Sequence, residues 1–546
     1  GELDVAQGSA SEIEVGSFWQ SEGVFTHGSS STVKFTASSG SHNVNNGPSA
    51  FYNLELQSSA SGNARFVAAS DLDIDGDLDI TQGTLQFTGA QDIYVAGNWT
   101  QDGNFVAGQS LACLDGEDQT ITGSTPPVFY SLQVDGSGTK SIGQNLTVED
   151  DIVMHAPLQL NSHTLSLYGD WTNNSSFDAG TGTVAFLGQA TQTIDNPAGE
   201  AFYNVEVNNT AGTFPQLLLR SQMEVVAGGQ MVFNQGVLET NTTEILKFAE
   251  GTSASGTSDQ SFVAGPVLKE GVNDFTFPLG KGAVHALLGI SGLTAPNAIR
   301  AEYFDQVHGD VSSLGTGIDH VSGLEYWNIE QLSGTENPVV SLHWSDGART
   351  GVDKLSDLRV ANYTAGQWEN AGNSANTGTT GAGSVRSDSE IAAYGPLTLA
   401  SATVEFNPLN AGFYWIGEES VAWNNLANWS SAVPTGSDDV VIPSSAPFQP
   451  VIAVQDAICQ RLVVTEGASL TINPDAALRA NGKITIDGEF RIKSDATGNG
   501  AFINSQAISY GTNSQVVVEQ YQSGFNYHYV SKPVALAHSN LFHNAT

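Results

Sequence analysis

The residues best placed to do chemistry are five aspartates at alternate positions, Asp71, Asp73, Asp75, Asp77 and Asp79, interleaved with Leu72, Ile74, Gly76 and Leu78. Read as a loop, they match the opening of an EF-hand calcium loop, with glycine at the sixth position. The match ends at the twelfth position, where Gln82 stands in place of a bidentate glutamate. Read as a strand, all five carboxylates face one side, and Leu72, Ile74, Leu78 and Ile80 face the other. Alternate residues of a strand lie about 6.6 Å apart, so like charges repel unless screened. A calcium ion would relieve that repulsion. These aspartates are therefore candidate calcium ligands, and a solvated acidic face is the competing reading.

A second candidate is Trp415, Trp423 and Trp429, clustered within fifteen residues. Aromatic faces stack on sugars, which makes the cluster a candidate carbohydrate-binding patch. Alternatively, the three rings cover the end of a coil stack. The eleven histidines are scattered without zinc-ligand spacing. His538 and His543 are near each other but lack an obvious third ligand. Neither a Gly-x-Ser-x-Gly elbow nor a Gly-Lys-Ser/Thr phosphate loop occurs. Gly280-Lys281-Gly282 lacks the hydroxyl residue. Aspartate pairs carry little information in a chain this acidic. No reaction centre is expected, so the chain reads as a non-enzyme.

The elements that must carry these residues follow from composition. The chain has 546 residues, 57 Asp+Glu against 18 Lys+Arg, and a formal net charge of -39. Such a polyanion repels nucleic acid and acidic membrane surfaces. Glycine is frequent at 59, and short Val/Ile/Leu/Phe alternations separate Gly, Asn and Ser turns. There is no amphipathic helical run and no apolar stretch long enough to span a membrane. Two cysteines, Cys113 and Cys459, do not make a disulfide framework. The chain begins in mid-pattern at Gly1 and reads as a window cut from a longer protein.

The first 250 residues repeat three times. Trp19, Trp99 and Trp171 are each followed six residues on by Phe25, Phe105 and Phe177. Each block then carries Phe51-Tyr52, Phe129-Tyr130 or Phe202-Tyr203, 30 to 32 residues after its tryptophan. The Trp-to-Trp spacings of 80 and 72 residues suggest three solenoid coils of roughly 25 residues per repeat. The landmark aromatics read as core residues rather than sugar platforms. Aligned back from Gly83 and Gly236, Leu72, Leu78 and Ile80 match Val225, Met231 and Phe233. Asp73, Asp75, Asp77 and Asp79 match Val226, Gly228, Gln230 and Val232. The fold therefore does not require the carboxylates. A sandwich of antiparallel strands is the alternative architecture.

The expected organisation is all-β, with parallel β-helix modules and an intervening Ig-like β-sandwich. Residues 1–250 form a three-repeat solenoid, 262–402 the sandwich, and 412–546 a second solenoid-like module truncated at its C-terminal end. Gly251 to Ser261 is a Gly/Ser/Thr-rich boundary. In the last module Leu462-Val463-Val464, Leu470-Thr471-Ile472 and Ile484-Thr485-Ile486 step along with Gly467, Gly482 and Gly488 between them. Cys459 reads as a buried filler.

Several phrases resemble large Bacteroidota cell-surface proteins exported by the type IX secretion system. They are Gly169-Asp170-Trp171-Thr172-Asn173, the Phe-Pro-Leu-Gly-Lys-Gly run from Phe277, Glu325-Tyr326-Trp327, Trp423 to Trp429, Asp438-Asp439-Val440 and Tyr529-Val530-Ser531-Lys532-Pro533-Val534. The resemblance implies an extracellular, cell-surface location and β-helical or Ig-like modules in long stalks. The expected function is a stalk, adhesin or filament segment. Its expected partners are other surface modules, copies of itself, or glycans. A carbohydrate-binding protein is the alternative, and a β-helix polysaccharide-active enzyme comes third, since Lys+Arg are too few for a uronate cleft.

Overall fold

The computed structural model describes residues 2–4, 11–58, 63–311, 313–403, 406–407, 409, 413–429, 432–444, 446–504, 506–511 and 514–521. His528, His538, His543 and the phrase at 529–534 lie outside the described residues. Strand makes up 50% of the structure and helix 1%, so parallel and antiparallel ladders carry the fold.

Short strands, three to a coil, pair in parallel with their equivalents in the next coil. Leu72–Ile74 pairs with Ile93–Val95, and the ladder runs on through Leu111–Leu114, Ser131–Val134, Ile152–Met154 and Trp171–Asn173. This sheet has 11 strands, from Ala50–Phe51 to Val263–Ala264. At about 4.8 Å per strand it extends for roughly 48 Å. A second sheet has 9 strands, from Glu12–Val15 to Phe177–Asp178. A third face begins at Trp19–Gln20 and is taken up by the sheet that starts at Val128–Phe129.

The alternation in the sequence sets this arrangement. Leu72, Ile74, Leu78 and Ile80 point inward and are fully buried, while Asp73 and Asp79 between them face out. Corners bring backbones of adjacent coils so close that only glycine fits. A Cβ on Gly116 would stand 1.8 Å from the Ala96 carbonyl oxygen, and one on Gly97 would stand 2.3 Å from the Gly76 carbonyl carbon.

The expected repeat geometry is corrected in one respect. Coils advance by 19 residues at Ile93↔Ala112 and by 25 at Ile194↔Leu219. The strand opened by Trp99 is the eleventh after Trp19–Gln20, and that opened by Trp171 is the eleventh after Trp99–Gln101. Eleven is not a multiple of three. One sequence repeat is thus three and two-thirds coils, and its tryptophan moves to a different face each time.

The chain divides into two compact units, Gly1–Tyr303 with Ile329–Pro338, and Phe304–Asn328 with Val339–Thr546. In the first, parallel pairing runs on past residue 250. Strand Ser253–Ser255, inside the Gly/Ser/Thr-rich run, pairs with Met223–Gln235, and Val267–Gly271 pairs with Leu246–Phe248. Only then does the chain turn antiparallel, with Val267–Gly271 against Asn297–Phe304. The second unit contains antiparallel pairs, Leu358–Thr364 with Gln367–Gly372 and Gly395–Ser401, and Val339–Trp344 with Gly383–Arg386. It also contains a second parallel coil stack, in which Val440–Ile442, Leu462–Val464, Ile484–Ile486 and Ile508–Tyr510 pair in order. Cys459 is fully buried in the core of that stack.

Candidate functional site

The aspartate ladder does not form one strand. Leu72–Ile74 lies in the 11-stranded sheet and Leu78–Gln82 in the 9-stranded sheet, with a coil corner at Asp75 and Gly76 between them. Asp71 and Asp73 therefore flank one face of the coil and Asp79 sits on another. The expectation that all five share one side is corrected, because the chain turns in the middle of the run. Among the described residues no three His, Cys, Asp or Glu side chains come together as a metal cluster.

The carboxylates instead serve the backbone. Asp77 Oδ1 accepts from the backbone N–H of Asn98 at 2.7 Å and from the Asn98 side-chain amide at 3.2 Å. The same corner repeats along the stack. Asn53 Oδ1 accepts from Asp77 N–H, and Asn98 Oδ1 accepts from Thr120 N–H, both at 2.9 Å. At a second corner Asp71 Oδ1 accepts from Asp92 N–H, and Asp92 Oδ1 accepts from Leu111 N–H. Further along, Asp151 accepts from Asp170 N–H and Asp170 from Thr193 N–H. Each Asx side chain thus pairs with a backbone donor that the turn would otherwise leave to water. Asp75 pairs with His27 Nε2 at 2.7 Å. Burial pushes the Asp73 carboxyl above the usual carboxylate range, with Asp75 and Asp115 adding to the rise. Asp79 is likewise raised by burial, against a hydrogen bond from Thr100.

The repeat aromatics assemble into three copies of one core motif. Trp19, Phe25 and Phe51 meet with ring centroids 5.2 to 6.0 Å apart. Trp99, Phe105 and Phe129 meet at 4.9 to 5.9 Å, and Trp171, Phe177 and Phe202 at 4.9 to 5.8 Å. In each triad both phenylalanines meet the indole edge to face, the favoured geometry for aromatic quadrupoles. Each indole N–H finds an oxygen: Asn46 Oδ1 at 2.9 Å, Gln101 Oε1 at 3.2 Å and Glu200 Oε2 at 2.6 Å. Trp99 and Trp171 are fully buried.

The carbohydrate-stacking expectation for Trp415, Trp423 and Trp429 is corrected. All three are at most 3% exposed and belong to the core of the second coil stack. Trp429 packs edge to face on both others, at 4.9 Å from Trp415 and 4.7 Å from Trp423. Trp415 Nε1 donates to the Phe448 carbonyl and Trp429 Nε1 to the Trp423 carbonyl, both at 2.6 Å. Trp423 Nε1 is buried with no hydrogen-bond partner. No ring face is presented for a sugar.

Sequence reasoning missed a polar cluster in the second unit, made by Asp319, His320, Asn407, Asp439 and Arg461. His320 Nε2 lies 2.5 Å from the Asn407 carbonyl oxygen and 3.3 Å from Arg461 Nη1. The partners are up to 141 residues apart, so no local spacing marks them. Among the described residues no helix is long and apolar enough to cross a membrane.

Comparison with known proteins gives one match. A family model described as a domain of unknown function (DUF8693) is similar to residues 414–546, the span of the second coil stack and the residues after it. No curated protein and no solved structure matches. The fold defines the class, an all-β protein with stacked parallel coils.

Proposed function

We propose that this chain is a segment of an extracellular surface protein, a stalk, adhesin or filament component, with a structural or adhesive role rather than a catalytic one. The observation that carries this reading is how the polar side chains are spent. Asx carboxylates and amides pair with the backbone of the next coil, and the large aromatics fill the coil interior. The antiparallel strands read as an Ig-like sandwich module. The sequence resemblance to type IX-exported surface proteins supports a location at the cell surface, and the excess of Asp and Glu suits a medium rich in counterions. Its partners are then other surface modules or further copies of the chain. The test is to label intact cells of the source organism with antibody against this chain and to image the released native protein by electron microscopy. Surface labelling and elongated particles are expected. An intracellular pool of compact particles that turn over a polysaccharide would overturn the reading.

A further inference from the structure

The antiparallel strands of the second unit leave a polar cavity where the chain crosses between sheets. Gln367–Gly372 pairs with Leu358–Thr364 in one sheet, and the next strand, Ala375–Gly378, pairs with Gly383–Arg386 in another. Asn373 and Ser374 make the crossing, and Asp388 lies just past the return strand. Hydrogen bonds fix this rim. Ser374 N–H donates to the Arg386 carbonyl at 3.0 Å and Asp388 N–H to the Ala371 carbonyl at 2.8 Å. Asn373 N–H donates to Asp388 Oδ1 at 2.8 Å. The Asn373 amide donates to the Leu355 and Leu358 carbonyls at 2.9 and 2.6 Å, and its Oδ1 accepts from the Asn376 amide at 2.8 Å.

Ser356, Arg359, Asn373, Asn376 and Asp388 line a cavity of about 310 Å³ at this crossing. Arg359 is half-buried, and its Nη1 is spent on the Ser356 and Leu358 carbonyls at 2.9 and 2.7 Å. Those bonds hold the guanidinium in one orientation. They leave the N–H groups on Nε and Nη2 without a partner among the described residues. Asp388 uses Oδ1 on Asn373, and its Oδ2 has no partner among them. Asn376 Oδ1 and Ser356 Oγ are likewise unused. No ion pair joins Arg359 to Asp388, although both line the cavity. An arginine that faces a cavity without a carboxylate partner stands out in a chain with 57 Asp+Glu against 18 Lys+Arg.

We propose that this cavity binds one unit of a neutral glycan, held by hydrogen bonds from Arg359 and to Asp388 and Asn376. A sugar hydroxyl both donates and accepts. One hydroxyl accepts from the free edge of the guanidinium while its neighbours donate to Asp388 Oδ2 and Asn376 Oδ1. Charge argues against other small ligands. An anion drawn to Arg359 meets Asp388 and a net charge of -39, and a cation drawn to Asp388 meets Arg359. A zwitterion answers both groups, but through exposed ion pairs, which are worth little and are screened by salt. Hydrogen bonds between a neutral hydroxyl and a charged group are the stronger contact here. The volume is at the small end for ligand clefts and suits a single ring. Ser356, Asn376 and Asp388 are exposed, so the rest of a glycan chain has a way out to solvent. No aromatic ring is among the lining residues, so one unit binds weakly, with a Kd on the order of 1 mM, and firm attachment takes many copies. This inference goes beyond the structural role proposed above and requires nothing about where the chain resides.

The test is saturation-transfer difference NMR on the full chain with the methyl glycosides of glucose, galactose, mannose and N-acetylglucosamine, and with glycine and acetate as the zwitterion and the anion. At least one glycoside should show saturable transfer, and glycine and acetate none. Arg359→Gln should weaken that glycoside on the order of tenfold, the size of one hydrogen bond to a charged group. Asp388→Asn keeps Oδ1 for the Asn373 N–H and turns the unused oxygen into a donor. It should weaken the same glycoside by a similar factor at an unchanged melting temperature, and it decides the matter if Arg359→Gln disturbs the fold. Saturable transfer to none of the glycosides, an unchanged affinity in folded Asp388→Asn, or binding of glycine or acetate alone would overturn the proposal.

Discussion

Asp77 and Asn98 occupy the same corner of successive coils, and the carboxylate of the first accepts both the backbone N–H and the side-chain amide of the second, at 2.7 and 3.2 Å. A side chain that looked like a metal ligand is an internal strut between turns of the chain.

Replacing Asp77 by Ala removes that acceptor and leaves the Asn98 N–H to water. The cost should be about 1 kcal/mol, since the site is partly exposed and water can substitute. Urea denaturation of the variant against the wild type measures it. Calcium and magnesium at equal concentration should raise the melting temperature equally, because screening of a polyanion needs no particular ion. A calcium-specific rise that disappears in Asp77→Ala would reinstate the ladder as a metal site.

Truncating a triad tryptophan tests the core assignment. Trp99→Ala should cost about 3–5 kcal/mol, as expected for emptying a fully buried aromatic site. In the second stack, Trp423→Phe should be cheaper than Trp429→Phe by about 1 kcal/mol. The first removes an indole N–H that has no partner, and the second breaks a bond to the Trp423 carbonyl. Paired denaturation curves decide the order.

Gly116→Ala places a methyl 1.8 Å from the Ala96 carbonyl oxygen, with backbone rather than a flexible side chain as the obstacle. The coils would have to part, at about 1–3 kcal/mol or more. Gly282→Ala meets nothing within 4 Å, although its φ of 62° carries a conformational cost of its own. It should therefore be the milder of the two in a thermal melt.

Glu200 is buried under the third triad and accepts from Trp171 Nε1 at 2.6 Å and Asn173 Nδ2 at 2.8 Å. Burial raises its carboxyl above the ordinary glutamate range, against these hydrogen bonds. The stability it contributes is complete below the unfolded value of about 4.3 and is lost as the pH rises through the elevated folded value. Wild type should therefore gain stability on mild acidification relative to Glu200→Gln. Denaturation midpoints of the two proteins across the acid range test the sign.

The apolar alternation was legible because burial imposes a two-residue period, and Leu72, Ile74, Leu78 and Ile80 obeyed it through a corner. The corner itself was hidden. Asp75-Gly76-Asp77 suits a turn, a strand edge and a calcium loop equally well, and only the ladder partners of Leu72–Ile74 and Leu78–Gln82 separate them. The triads were foreshadowed by the matched spacing of Trp99, Phe105 and Phe129 with their counterparts in the other two blocks. Spacing does not say which face a residue occupies, so the drift of two-thirds of a coil per repeat went unseen. The fate of Trp415, Trp423 and Trp429 turned on whether loops cover them, a property of tertiary packing. His320 and Arg461 carry no local signal at all.

The Asx struts also constrain how such a chain can change in length. Each links a side chain to a backbone donor 19 to 24 residues ahead, so losing or gaining one complete turn leaves the neighbours able to join up again. An insertion of a single residue inside a strand would swap its inward and outward rows and leave the next strut aimed at the wrong donor. Evolutionary variation in such a chain should therefore come in whole turns, with odd-sized additions confined to the bulging connections between strands.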